Sequence, residues 1–248
     1  MQNMINSYFV SVGYSVTIIF NNSKKNLLHF GSAMHLNFRQ KLTFFGVLLV
    51  SSIASYANNL ASSNSLYDEY PWAGTYYYGI TVNDPLVRTF LLHNLDRWPE
   101  HIQSLELSHT LAPDNFLRRL VNPLVGIVQV AGNFTLRQGQ KQPRIYEFAP
   151  YVAFRWANLP WNDTILTSFA IGEGISYTSS VPAIEARNND NTKRLLNYLM
   201  FEATFAAPSY PQLQFIARIH HRSGAYGLYH AGNTGSNNIG IGLRYLFN

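Results

Sequence analysis

Between Thr75 and Phe247 lie separate segments in which apolar side chains take about every second position, and no stretch in this part of the chain reaches 18 uninterrupted apolar residues. A helix needs roughly that length of apolar residues to cross a bilayer, so helical membrane spans are excluded here. Alternation with period two describes strands with one apolar and one polar face. Eight such segments are expected, at Thr75–Val82, His101–Leu111, Leu124–Arg137, Arg144–Ala157, Thr164–Tyr177, Leu196–Ala206, Leu213–Arg222 and Asn238–Phe247. The fourth is the clearest, with Tyr146, Phe148, Val152, Phe154 and Trp156 on one face and Glu147, Ala149, Tyr151, Ala153 and Arg155 on the other.

A soluble sandwich also alternates, but two features favour a barrel in lipid. The segments run to about ten residues, matching a tilted membrane crossing, whereas soluble strands average about 5 or 6. The connections alternate too: 158–163 and 207–212 are compact, while 179–194 and 224–237 are long and polar, as expected of short periplasmic turns and longer external loops. The connection near Gly139 is short and departs from this pattern. Residues 84–100 read either as a long first external loop with a helical turn or as an irregular strand, and the loop is preferred. Aromatic residues make up 15% of the chain and charged residues 12%, half the usual charged share of about 25%. The expected fold is all-β, an eight-stranded antiparallel transmembrane barrel of outer-membrane type in a Gram-negative bacterium. Eight strands leave an interior that side chains fill, so an open pore is not expected. Tyr76, Tyr78, Trp156 and Trp161 are expected in the interface belts.

The N-terminal part reads differently. Arg39 and Lys41 precede the apolar run Leu42–Ala54, and Ser55-Tyr56-Ala57 supplies small residues at its end, the pattern of a secretory signal peptide spanning 34–57. Residues 1–33 are then an upstream extension and 58–248 the mature barrel domain. Lys24, Lys25, Arg39 and Lys41 all lie upstream of position 58, so the mature part holds 14 basic against 13 acidic residues. The basic excess belongs to the removed segment, which takes away the electrostatic argument for nucleic acid. There is no cysteine, so thiol chemistry and disulfides are excluded. No spacing suggests a metal site, and no cofactor is expected; the oligomeric state is open.

One stretch carries candidate chemistry, Arg218-Ile219-His220-His221-Arg222-Ser223 at the end of the seventh segment. Leu213, Phe215, Ala217 and Ile219 share a face with His221 and Ser223, whereas Gln214, Arg218, His220 and Arg222 share the other. If the apolar face meets lipid, His221 and Ser223 stand on the outer wall and Arg218, His220 and Arg222 point inward, with His220 and Arg222 as partners for Glu147, Glu106 or Glu202. Residues two apart on a strand are separated by about 6.6–6.8 Å, so an imidazole and a hydroxyl can lean together, and a neutral imidazole can take the serine proton. With the N-terminus in the periplasm the seventh strand ends in the outer leaflet, where the esters at hand are the acyl esters of lipopolysaccharide. The bland reading of the same pair is the polar rim of the lipid-facing band.

The pattern R-x-x-H-x-S on the penultimate strand, followed by a Gly/Asn-rich loop and a final strand, resembles the PagL-type lipid A deacylase family. The resemblance lies mainly between Arg218 and the C-terminus. It implies an eight-stranded outer-membrane barrel with a serine esterase site on its lipid-facing wall, removing the 3-O-linked acyl chain of lipid A, with Ser223 as nucleophile, His221 as general base and no cofactor. Gly224 stands where the family has an asparagine that helps hold the oxyanion, which makes the Gly224 backbone N–H the matching donor. The family's glutamate has no counterpart among Ser236–Ile239, where Asn237 is a neutral candidate to orient the imidazole. Glu173 is the other candidate acid, outward by parity unless a bulge at Gly172 or Gly174 turns it inward, and about 9.5 Å from the seventh strand. Without an acid, the alternative is a non-catalytic barrel with a structural or adhesive role.

Overall fold

The computed structural model describes residues 65–122, 124–140, 142–232 and 234–248. The expected extension (1–33) and signal peptide (34–57) lie outside them. Eight strands, β1 (Trp72–Val82), β2 (Arg97–Thr110), β3 (Ile127–Gly139), β4 (Gln142–Trp156), β5 (Leu166–Thr178), β6 (Leu195–Ala206), β7 (Leu213–Ser223) and β8 (Gly235–Phe247), each pair antiparallel with the next, and β8 pairs with β1 to close a barrel. Short helices punctuate them: α1 (Leu66–Glu69), α2 (Leu86–Leu91), α3 (Phe116–Val121) and α4 (Ala183–Asn188). No described helix is long and apolar enough to cross a membrane.

The pleat separates two environments. Leu105, Phe134, Leu213, Ile241 and Leu243 project outward and are exposed, whereas Ser104, Glu106, Asn133, Glu147, Arg155 and Arg244 are buried inside. An apolar exterior around a polar interior is the inverse of a soluble protein and the arrangement of an outer-membrane barrel. The interior is filled. Five arginines (137, 155, 218, 222 and 244) and five glutamates (100, 106, 147, 185 and 202) are buried there, so their formal charges cancel. Arg218 bridges Glu106 and Glu202 at 2.5 Å each, Arg155 bonds Glu202 at 2.7 Å, and Arg137 bonds Glu100 at 2.8 Å and Glu147 at 2.6 Å. Pairing is what makes burial of these charges tolerable, and removing one partner of such a pair costs about 3–5 kcal/mol.

Both rims are closed by short elements. At the rim bearing α1, Tyr67 is buried and shares a hydrogen bond with Ser168 at 3.0 Å, while Arg155 stacks 5.1 Å from its ring centre. The connection after β2 is not the compact turn expected of this rim. It forms α3, whose Arg118 pairs with Asp68 of α1 and donates to the Gly126 and Leu111 carbonyls. At the opposite rim α4 enters from the β5–β6 connection, and its Glu185 accepts from Arg222 and Ser236 at 2.8 Å each. The β1–β2 connection does not extend away from the barrel. Its helix α2 packs against β7 and β8, and Phe90 meets Phe201 of β6 edge-on, with centroids 4.5 Å apart. This explains why Ile219, outward by parity, is only 9% exposed. Residues 84–96 therefore form the expected loop with a helical turn, and Arg97–Glu100 already belong to β2.

Candidate active site

The alternation of β7 carries through to its end. Gln214, Ile216, Arg218, His220 and Arg222 are buried inside, and His221 and Ser223 continue the outward row begun by Leu213 and Phe215. His220 is held inside by Glu147, 2.9 Å from its Nε2, and by the Tyr77 hydroxyl, 2.5 Å from its Nδ1. A carboxylate only accepts, so His220 carries its proton on Nε2 and accepts from Tyr77 on Nδ1.

His221 is arranged the other way round. Its Nδ1 lies 2.6 Å from Asn237 Oδ1, directly across the β7–β8 ladder. The orientation of that amide is set by a third group, because Asn237 Nδ2 donates to the Asp84 carbonyl at 2.6 Å. A backbone carbonyl accepts but cannot donate, so the amide nitrogen faces Asp84 and the oxygen faces the imidazole. His221 must then donate from Nδ1, which leaves a lone pair on Nε2. This is the tautomer a general base toward a hydroxyl requires. Asp84 sits where β1 turns into the α2 loop, and its side chain is fixed by Arg88 at 3.0 Å and by the Asp96 amide at 2.7 Å.

Ser223 and His221 open onto a cleft of about 950 Å³. Its walls come from the outer faces of β5–β7, from residues 82–86 of the first loop, and from the connection after β7 with Gly224, Ala225 and Leu228. Aliphatic groups, among them Leu86, Leu199 and Leu228, share the lining about equally with polar ones such as Asn83, Glu173, Asn197 and Asn237. Immediately after Ser223 the backbone turns sharply: Gly224 has φ −73° and ψ 4°, and Ala225 takes φ 44°, a left-handed value uncommon for alanine.

The remaining sequence candidates are placed as follows. The Gly224 N–H donates to the Thr234 carbonyl at 3.0 Å, so this amide is committed to the chain partner and is not open to an oxyanion. Glu173 stays outward, in unbroken register with Leu199 of β6, without the bulge that would turn it inward. Leu199 is in turn opposite His221, so an aliphatic side chain separates the carboxylate from the imidazole. Glu173 lies diagonal to Asn197 across the β5–β6 ladder, and both line the cleft. Gly174 permits this register, since a Cβ there would lie 2.2 Å from the Pro150 carbonyl oxygen. Sequence reasoning did not single out Asn197, which stands opposite Ser223 on β6, nor the Asp84 carbonyl. Arg222, expected to pair with interior glutamates, has its closest carboxylate in Glu185 of α4. No cluster of histidine, aspartate and glutamate suited to a metal ion occurs among the described residues.

The fold and site together define a class: a closed eight-stranded barrel with an apolar exterior, a charge-filled interior and a polar histidine–serine pair on its outer wall. No protein-family model matches the sequence, and no curated protein matches it. Among solved structures, the chain is similar to the crystal structure of the outer membrane enzyme PagL, with a TM-score of 0.43 and 15% identity over 70% of this chain and 98% of that one. It is also similar to Neisserial surface protein A, with a TM-score of 0.41 and 7% identity over 71% of this chain and 96% of that one.

Proposed function

We propose that this protein is an outer-membrane serine esterase acting on lipid A, a 3-O-deacylase-like enzyme that needs no metal or organic cofactor. The observation that carries the reading is the chain Asp84 C=O, Asn237, His221 on the outward wall, which fixes the imidazole in the tautomer of a general base beside an outward hydroxyl. In the reaction His221 Nε2 takes the Ser223 proton as Oγ attacks the ester carbonyl of an acyl chain. The tetrahedral intermediate collapses, the imidazolium gives the proton to the leaving sugar oxygen, which departs as a hydroxyl, and an acyl-serine remains. Water, deprotonated by the same nitrogen, then releases the fatty acid and restores Ser223. Catalytic hydrogen bonds commonly tighten only once substrate is bound, so the nucleophile and base need not already be in contact. Location on the outward wall suits a substrate whose acyl chains lie in the bilayer, and membrane lipid is the only partner the mechanism requires.

A second reading, a non-catalytic outer-membrane barrel with a structural or adhesive role, is favoured by one observation: the group at His221 Nδ1 is a neutral amide, which stabilises an imidazolium less than a carboxylate does. Mass spectrometry of lipid A from cells expressing the wild type, Ser223→Ala and His221→Ala separates the two. The enzyme reading expects loss of one acyl chain in the wild type alone. An unchanged profile with assembled barrel and intact substrate rejects it.

A further inference from the structure

Acyl transfer to a serine generates an oxyanion that needs a donor about 2.7–3.1 Å away. The amide that the sequence offers for this, Gly224 N–H, is occupied by the Thr234 carbonyl. The other donors around the cleft are largely engaged as well. Asn237 Nδ2 serves Asp84, Ser236 Oγ serves Glu185 at 2.8 Å, Asn83 Nδ2 serves Asp96 at 3.1 Å, and Asn188 Nδ2 serves Asn83 at 3.4 Å. Thr234 also lines the cleft with an unpartnered buried hydroxyl, but it precedes β8 and has no ladder partner that would aim it at Ser223. Asn197 differs from all of these. It is half-buried, it lines the cleft, it faces outward on β6, and it is the direct cross-strand partner of Ser223.

Directly opposed residues of an antiparallel pair hold their Cβ atoms about 4.5–5.5 Å apart, so the Asn197 amide reaches the space in front of the Ser223 hydroxyl. Glu173 stands diagonal to it across the β5–β6 ladder, and both line the cleft. A carboxylate only accepts, so its closeness favours Nδ2, not Oδ1, on the side they share, and an amide nitrogen carries a second hydrogen for the cleft. This placement also gives a purpose to an ionisable side chain on an otherwise apolar outer wall, where a carboxylate is costly.

We infer that Asn197 is the side-chain oxyanion donor of the site and that Glu173 is its positioning residue rather than the acid of a triad. The inference rests on the esterase reading above. Strand register therefore places base, nucleophile and oxyanion donor in two adjacent rows of the wall: Glu173, Leu199, His221 and Asn237 in one, Ile175, Asn197, Ser223 and Gly235 in the next.

The test uses the full-length barrel folded in detergent micelles with a long-chain ester. Asn197→Ala and the isosteric Asn197→Asp, which lacks the donor, are expected to lower kcat by about 10²- to 10³-fold with KM little changed. Glu173→Leu is expected to lower kcat about tenfold, and Glu173→Gln, whose Oε1 can accept from Asn197, to restore most of it. Wild-type kcat in both Asn197 variants overturns this inference while leaving Ser223 and His221 in place. A wild-type protein inactive on every long-chain ester overturns the esterase reading and this inference with it. A uniform loss of assembled barrel in both Asn197 variants, with normal kcat in the folded remainder, assigns Asn197 a structural role and likewise overturns it.

Discussion

His220 and His221 are neighbours in the chain and belong to different worlds. His220 points into the barrel, donates from Nε2 to Glu147, and accepts from Tyr77. His221 points out, donates from Nδ1 to a neutral amide, and keeps Nε2 free. One residue of strand displacement exchanges a satisfied structural imidazole for one with an unused lone pair, because side chains alternate across the sheet. What separates them is the accounting of partners. Inside, both ring nitrogens of His220 are engaged, by Glu147 and by Tyr77, among paired buried charges. Outside, the partners of His221 stop one atom short of closure, and the open position faces a cleft that holds a hydroxyl.

This contrast can be broken by substitution. Ser223→Ala and His221→Ala are expected to show the largest effects, a fall in ester turnover of about 10⁴-fold or more, with the heat-modifiable mobility of the folded barrel unchanged in electrophoresis. Arg218→Ala, two strand positions inside His220, is expected to do the reverse. It leaves Glu106 and Glu202 short of a cation and lowers stability by about 3–5 kcal/mol, read as a shift in the urea midpoint of the folded barrel in micelles, while the folded fraction keeps its turnover. His220→Ala removes one bond to a buried carboxylate and leaves a void, for a loss of about 2–4 kcal/mol on the same assay and little change in kcat. A large kcat loss there, at normal stability, breaks the division between the two histidines. Asn237→Ala is expected to lower kcat about 10- to 100-fold, less than loss of Ser223 or His221, since it frees the tautomer of His221 without removing the base.

The barrel was legible in the chain because each strand reports its own two faces. The polar face of β4 is read from Glu147, Ala149, Tyr151, Ala153 and Arg155 alone, and these are the side chains found buried. The parity of His221 and Ser223 was legible for the same reason. Three things were not. The pairing of Asn197 with Ser223 depends on the register of β6 against β7, and neither segment marks its partner residue by residue. The descent of α2 onto the outer wall depends on Phe90 meeting Phe201, more than 100 positions away in sequence. The helix α3 is too short to show helical periodicity, and it is held in place by Arg118 reaching back to Asp68. Gly224 illustrates the remaining difficulty: its amide looks available in the sequence and is consumed by a chain contact that only the closed ladder reveals.

The central claim is that Ser223 is a nucleophile activated by His221 on the outward wall. Incubation of the folded protein with a long-chain alkyl fluorophosphonate, followed by peptide mass mapping, addresses it directly, since attack by a serine oxygen on phosphorus expels fluoride and leaves a stable adduct. The account predicts a single adduct on Ser223 in the wild type, absent in Ser223→Ala and strongly slowed in His221→Ala. An unmodified wild-type Ser223, or equal labelling with and without His221, would contradict it.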